Sequence, residues 1–270
     1  MAGDGTSAAD AMIMLLLMLL SLATSYDTAS EAAMRLATVF RQKVDHRINV
    51  PVAEQHRYAT LLAQALTEAQ LGDLPAQYVV LVDRNAFVQA AMIYWKSESG
   101  EFHFIGASQA STGQPGRFEH FETPLGVFPH TLENPDFRAE GTLNEFGILG
   151  YGPKGLRIYD FGWVKAPKGW GDGRQSVMRL QLHSTDPELL EPRLGSIQSK
   201  GCIRIPASLN RLIDHYGILD ARYEHAMAAG QSFWVLSPDR EATRWSGELL
   251  VVIDTERDRR PSWSSGPRAR

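Results

Sequence analysis

The chain reads as a mainly β fold with short helices, preceded by a helical N-terminal segment. Three observations predict this. Apolar stretches at 78–82, 88–95 and 102–105 are separated by turn-rich residues at 83–85 and 97–100, the pattern of short strands in succession. Residues 177–182 alternate apolar and polar, the period of a half-buried strand. Helical periodicity is confined to the region before Pro75 and to a stretch after Pro206. Strands that follow one another through turns argue against repeated βαβ units.

Taken in order, residues 1–25 read as a signal peptide or N-terminal anchor. The apolar run at 11–23, AMIMLLLMLLSLA, is shorter than the about twenty residues of a spanning helix. Ala23 and Ser25 suit the small-residue positions before a cleavage point. The preceding flank departs from the usual pattern, carrying Asp4 and Asp10 and no Lys or Arg. No cysteine follows the run, so the acyl acceptor of a lipoprotein is missing. The expected location is outside the cytoplasm, in the periplasm or cell envelope, with membrane anchoring through residues 11–23 if the run is retained.

Residues 26–75 form the helical segment. Thr28 and Glu31 have capping-box spacing ahead of Ala32, Met34, Leu36, Ala37, Phe40 and Val44, which predicts a helix over 29–46. Pro51 interrupts, and 53–71 reads as a second helix ending near Gly72; the two are expected to pair as a hairpin capping the main domain. That domain spans 76–256. Residues 109–120 are rich in Ser, Thr, Gly and Gln and read as an exposed loop, with a strand starting at 126–128. His130 is expected at the surface or the edge of a cleft. Residues 134–173 hold many glycines and aromatics and are too irregular for a simple strand repeat. A helix is predicted from Pro206 to Gly217, and strands at 232–236 and 249–253. His215 and His225 are assigned to surface or local packing. Residues 257–270 read as a basic flexible tail.

Composition narrows the function. Hydrophobic residues make up 44% and charged residues 21% of the 270 residues, a folded globular chain. With 27 basic and 31 acidic side chains the formal charge is −4, which argues against a nucleic-acid partner. Asp186, Glu188, Glu191 and Arg193 read as solvated loop charges. No metal-ligand spacing or phosphate-binding glycine pattern is present, so no cofactor is expected.

The single cysteine, Cys202, lies in a stretch that begins at His183 and contains Gly195, Ser196, Ser199 and Gly201. A thiol becomes a nucleophile when an imidazole takes its proton. Adjacent amides at Gly201 and Cys202 are candidates for an oxyanion hole if the turn has the right shape. A helix starting just after Cys202 would favour a thiolate through its amide end. A lone cysteine is also often a small buried hydrophobe, and both readings are open at this point.

His183, Ser199, Gly201, Cys202, Ile203 and Arg204 resemble the signature of the L,D-transpeptidase catalytic domain, also called the YkuD domain. Ser111, Thr112 and Gly113, followed by Thr123, Pro124, Leu125, Gly126 and Phe128, look like its STG and TPxGxF elements. Lys200 stands where the motif usually has a second histidine, which is not the family's general base. The resemblance covers residues 77–237 and implies a YkuD-like β-sandwich with a mobile flap over its cleft.

It also implies roles. Cys202 would be the nucleophile, His183 the base, and Ser184 would orient the imidazole through its backbone carbonyl. Gly201 would belong to the oxyanion hole, and Ser199 and Arg204 would contact substrate or brace the turn. The implied reaction is peptidoglycan transpeptidation: a Cys202 thioester with a tetrapeptide stem, release of D-alanine, and transfer to an amine on a second stem. The partners are therefore peptidoglycan peptide stems, and the oligomeric state is left open. Two alternatives stand beside it: an L,D-carboxypeptidase or related cysteine hydrolase of wall peptides, and a non-catalytic wall-binding protein.

Overall fold

The computed structural model describes residues 28–267. Among them, strands β1 (Gln77–Asp83), β2 (Ala90–Lys96), β3 (Phe102–Gln109), β4 (Gly126–Pro129) and β9 (Leu249–Ile253) form one sheet, ordered β3-β2-β1-β9-β4. Strands β5 (Phe137–Arg138), β6 (Arg157–Pro167), β7 (Gln175–His183) and β8 (Ile203–Arg204) form a second, ordered β5-β6-β7-β8. The helices are α1 (Ala29–Lys43), α2 (Val52–Glu68), α3 (Ala207–His215) and α4 (Ala221–Ala228). The architecture is a mixed α/β fold with two separate, unclosed sheets and four helices among the described residues.

The period of two explains why β1 reads as one apolar run. Tyr78, Val80 and Val82 join a core with Tyr159, Phe161, Leu180, Leu182 and Ile203 of the second sheet. Val79 and Leu81 face the opposite way, into a cluster with Tyr58, Leu62 and Leu66 of α2. Both faces are covered, so neither set of positions is polar. The parallel β1–β9 pair joins distant parts of the chain, and everything from the second sheet to α4 lies in the connection between them.

The capping box is present at α1: Thr28 N donates to Glu31 Oε2 at 2.8 Å and Glu31 N to Thr28 Oγ1 at 3.3 Å. Ala33, Leu36, Phe40 and Val44 recur at helical spacing and enter the core between the sheets. Phe40 lies flat on Gly106, where a Cβ would come within 2.3 Å of the ring. Gly106 follows a β-bulge, since β2 pairs Ile93 with Gly106 and Tyr94 with Phe104, leaving Ile105 extra. The hairpin expected of the two helices is not formed: α1 packs on one face of the five-stranded sheet and α2 on the other.

Other expectations are corrected. The glycine-rich region contains the eleven-residue β6, its pattern masked because one face carries Asp160 and Trp163. Residues 232–236 are turn and irregular chain, and α4 follows α3 instead. The tail is packed over 257–267. Trp263 meets Tyr58 edge-on at 6.0 Å, Ser264 Oγ donates to the Val88 carbonyl at 2.9 Å, and Arg260 Nη2 donates to the Gly195 carbonyl at 2.9 Å. Arg260 looks solvated in sequence because its acceptors include distant carbonyls, and Arg257 because its partner, Glu54, lies at the other end of the chain.

His130 is fully buried, not at a cleft edge. Its Nδ1 faces the Leu219 carbonyl at 2.7 Å and its Nε2 faces Asp136 Oδ1 at 2.8 Å, so both nitrogens carry protons. Burial pulls its pKa down, but Asp136 and the carbonyl outweigh that and raise it. Arg157, also fully buried, bonds Asp136 Oδ2 at 2.6 Å and Asp220 Oδ2 at 2.9 Å. Asp186 and Glu191 are buried as well. Asp186 accepts from the amides of Leu149, Glu188 and Leu189 at 2.8–3.0 Å.

The anchored localisation is corrected: among the described residues no helix is long and apolar enough to cross a membrane. The run at 11–23 and the end of the tail at 268–270 lie outside the described residues.

Candidate active site

The site grows from the alternation of β7. Met178, Leu180 and Leu182 point into the core, which turns Arg179, Gln181 and His183 to the opposite face. In β6 the same rule sends Tyr159 and Phe161 inward and leaves Asp160 across from Gln181. Asp160 Oδ2 accepts from Arg179 Nε at 2.7 Å and from Gln181 Nε2 at 2.9 Å. The parallel pairing of β7 with β8 sets Leu182 beside Ile203 and His183 beside Arg204. Cys202 therefore lies one step back along that ladder, next to Gln181.

The turn that carries the thiol is held by the two segments singled out in sequence. Ser111 exchanges both backbone hydrogen bonds with Arg204, at 2.8 and 2.9 Å. The Thr112 carbonyl accepts from the amides of Gln198 and Ser199 at 3.0 and 2.9 Å. Thr123 Oγ1 accepts from the Gly113 amide at 2.8 Å and donates to the Gly201 carbonyl at 2.7 Å. Gly113 needs its missing side chain, since a Cβ there would meet the Phe121 carbonyl at 2.0 Å. Gly201 has φ +133°, and a Cβ would meet Met178 Sδ at 2.7 Å. Ser199 Oγ donates to the Cys202 carbonyl at 2.5 Å and receives the Gly201 amide at 3.1 Å. Ser199 is thus a brace inside the turn. The Gly201 amide is occupied by it, which leaves the Cys202 amide as the one candidate oxyanion donor of that pair.

His183 is buried and its Nδ1 lies 2.5 Å from the Ser184 carbonyl. A carbonyl only accepts, so Nδ1 carries the proton and Nε2 holds the lone pair. Burial, and then the Arg204 guanidinium, lower its pKa to about 3, so the ring is neutral. Burial pushes the Cys202 thiol up to about 11. Its Sγ donates to the Arg179 carbonyl at 3.5 Å, and no hydrogen bond joins it to His183 in this conformation. The resting pair is a neutral thiol and a neutral imidazole. The helix-end argument for a thiolate is corrected too: α3 starts at Ala207, and its first amide donates to Glu191 Oε1 at 2.6 Å.

His183 and Cys202 share two neighbours. Arg204 acts electrostatically on both. Its Nε is buried without a partner and its Nη1 reaches only the Gln198 carbonyl at 3.5 Å, so its charge is uncommitted. Tyr151 packs edge-on against the His183 ring at 4.8 Å and lies close enough to Cys202 for a thiolate there to raise its pKa. Its hydroxyl donates to Gln181 Oε1 at 3.0 Å. Lys200 points outward and lies 3.8 Å from Glu119, both well exposed.

Sequence reasoning missed several of these groups. Arg179 and Gln181 carried a usable signal, lying at alternate positions before His183 in one strand. Tyr151 stood out only as one of the aromatics of the glycine-rich region, any of which could line a cleft, and His120 carried no signal. His120 reaches the site from a distant loop, with Nδ1 3.0 Å from the Ser199 carbonyl. Among the described residues no group of three or more His, Cys, Asp or Glu is arranged to hold a metal ion. No protein-family model matches the chain, and no curated protein matches it.

Proposed function

We propose that the protein is a cysteine-dependent L,D-transpeptidase of peptidoglycan stems, built on a YkuD-like scaffold. One observation carries the reading: Ser111 to Gly113 and Thr123 meet in space at the turn bearing Cys202, beside a buried neutral imidazole with a free Nε2. These are the residues on which the sequence resemblance rests, and they are far apart along the chain.

In this mechanism His183 Nε2 takes the Cys202 proton as the sulfur attacks the amide carbonyl before the terminal D-alanine. The Cys202 amide stabilises the oxyanion. The imidazolium returns the proton to the leaving amine, D-alanine departs, and a thioester remains. His183 then takes a proton from the acceptor amine as it attacks, and that proton goes back to the released sulfur. Arg204 receives a stem carboxylate, the use suited to a guanidinium with no internal acid. Because thiol and imidazole both start neutral, proton transfer accompanies attack.

The test is intact-mass and product analysis with defined disaccharide tetrapeptides. Loss of D-alanine with an adduct on Cys202 and a cross-linked dimer is expected. Tripeptide without dimer would make the protein a hydrolase, and an adduct that persists in Cys202→Ala would sink the assignment.

A further inference from the structure

Resting on that reading, we propose that the turn joining β1 to β2 orients the Cys202 amide for acylation, with Gln89 and Arg84 as its positioning residues. Gln89 is fully buried, and its φ of +50° lies in the left-handed region that non-glycine residues seldom adopt. A backbone in that region is held there by its surroundings, and the contacts of Gln89 lead to the thiol.

Both ends of the Gln89 side-chain amide are used. Oε1 accepts the Thr112 amide at 2.8 Å, while Nε2 donates to Thr112 Oγ1 at 2.8 Å and to the Arg84 carbonyl. An amide N–H only donates and a carbonyl only accepts, so these partners fix which way the side chain faces. The Gln89 carbonyl also accepts the Ala110 amide at 2.8 Å, so one residue grips the chain on both sides of Ser111. From Thr112 the hold passes through its carbonyl to the Ser199 amide, and from Ser199 Oγ to the Cys202 carbonyl.

Arg84 acts on the other supporting segment. Its Nη1 donates to the Thr123 carbonyl and its Nη2 pairs with Glu122 at 3.1 Å. Thr123 Oγ1 in turn donates to the Gly201 carbonyl. That carbonyl and the Cys202 amide belong to one planar peptide unit, so fixing the first aims the second. The turn is itself anchored: Asp83 at its start accepts the Asn85 amide at 2.9 Å, the Tyr58 hydroxyl at 2.6 Å and the Thr255 hydroxyl at 2.8 Å. An oxyanion donor must be in place before charge develops, and this scaffold supplies that order.

The experiment compares two reactions of Cys202. p-Nitrophenyl acetate passes its acetyl group to the thiol through a tetrahedral oxyanion, whereas iodoacetamide alkylates the sulfur by displacing iodide and forms none. Intact mass reads both in wild type, Gln89→Met and Thr112→Val, with Cys202→Ala as the blank. Gln89→Met should slow acetylation about tenfold, short of the hundredfold that a misplacement of about 1 Å can cost. Alkylation at the same pH should keep the wild-type rate. Thr112→Val, which leaves the amide bond to Oε1, should lose less in the same sense. Unchanged acetylation in Gln89→Met, or both reactions slowing together, would overturn the proposal. Faster alkylation would mark an opened fold in that variant, and Thr112→Val then decides by the same ratio.

Acetylation needs no wall peptide, so this result is separate from the transpeptidase reading. With disaccharide tetrapeptide, Gln89→Met should lower kcat and leave KM unchanged, the mark of an interaction made in the transition state. A slowed acetylation without any tetrapeptide adduct keeps the positioning role and removes the transpeptidase reading. A tetrapeptide adduct with unchanged acetylation does the reverse.

Discussion

The Ser184 hydroxyl donates to the Tyr151 carbonyl at 3.1 Å, while the Ser184 carbonyl receives Nδ1 of His183. One residue therefore fixes both the imidazole and the aromatic ring packed edge-on against it. Gly152 makes this possible: a Cβ there would sit 1.9 Å from Ser184 Oγ.

Ser184→Ala keeps the carbonyl and loses the tie to Tyr151. The loss of about 1 kcal/mol, typical of one hydrogen bond, should slow acylation of Cys202 about fivefold and leave the fold intact. Stopped-flow acylation together with circular dichroism checks this; an unchanged rate would show that Tyr151 is held without the hydroxyl.

The thiol lies at about 11 and the imidazole at about 3, so no thiolate–imidazolium pair exists at neutral pH. Iodoacetamide should therefore alkylate Cys202 about tenfold faster per pH unit from about pH 6 to about pH 9. A plateau across that window would mean that a preformed ion pair is present.

His183 is buried neutral, with a folded pKa held down to about 3 against an ordinary value near 6.5. A depressed pKa contributes stability that is complete above about pH 6.5 and is lost as pH falls towards about 3. At ~1.4 kcal/mol per unit, His183→Gln should recover about 3 kcal/mol relative to wild type between pH 7 and pH 4. Urea unfolding of both proteins at the two pH values measures it, and parallel losses in the two would contradict the burial of a neutral ring.

Arg157 neutralises Asp136 and Asp220 in a site with no access to water. Arg157→Met removes the cation shared by two buried carboxylates, leaving Asp136 only His130 and Asp220 only Arg240, and should cost about 3–5 kcal/mol of stability. Adding Asp136→Asn should restore part of it, and additive losses in a double-mutant cycle would show that the two do not interact.

The sequence determined the parts that depend on neighbours along the chain. The Thr28–Glu31 box, the apolar face of α1, the continuous runs of β1 and β2, and the alternation that ends at His183 are all local patterns, set by a period of 2 or 3.6 and by residues within one turn. The tertiary structure decided what depends on partners far away. Residues 134–173 hid β6 because one of its faces is polar. Arg257 and Arg260 looked solvated until Glu54 and the Gly195 carbonyl stood beside them, and His130 looked like a surface group until Asp136 and Leu219 enclosed it. Cys202 and His183 were legible as candidates only through the family resemblance, since by residue type a lone cysteine reads as well as a small buried hydrophobe. Their protonation states were not, because burial and the Arg204 charge exist only once the chain has folded around them.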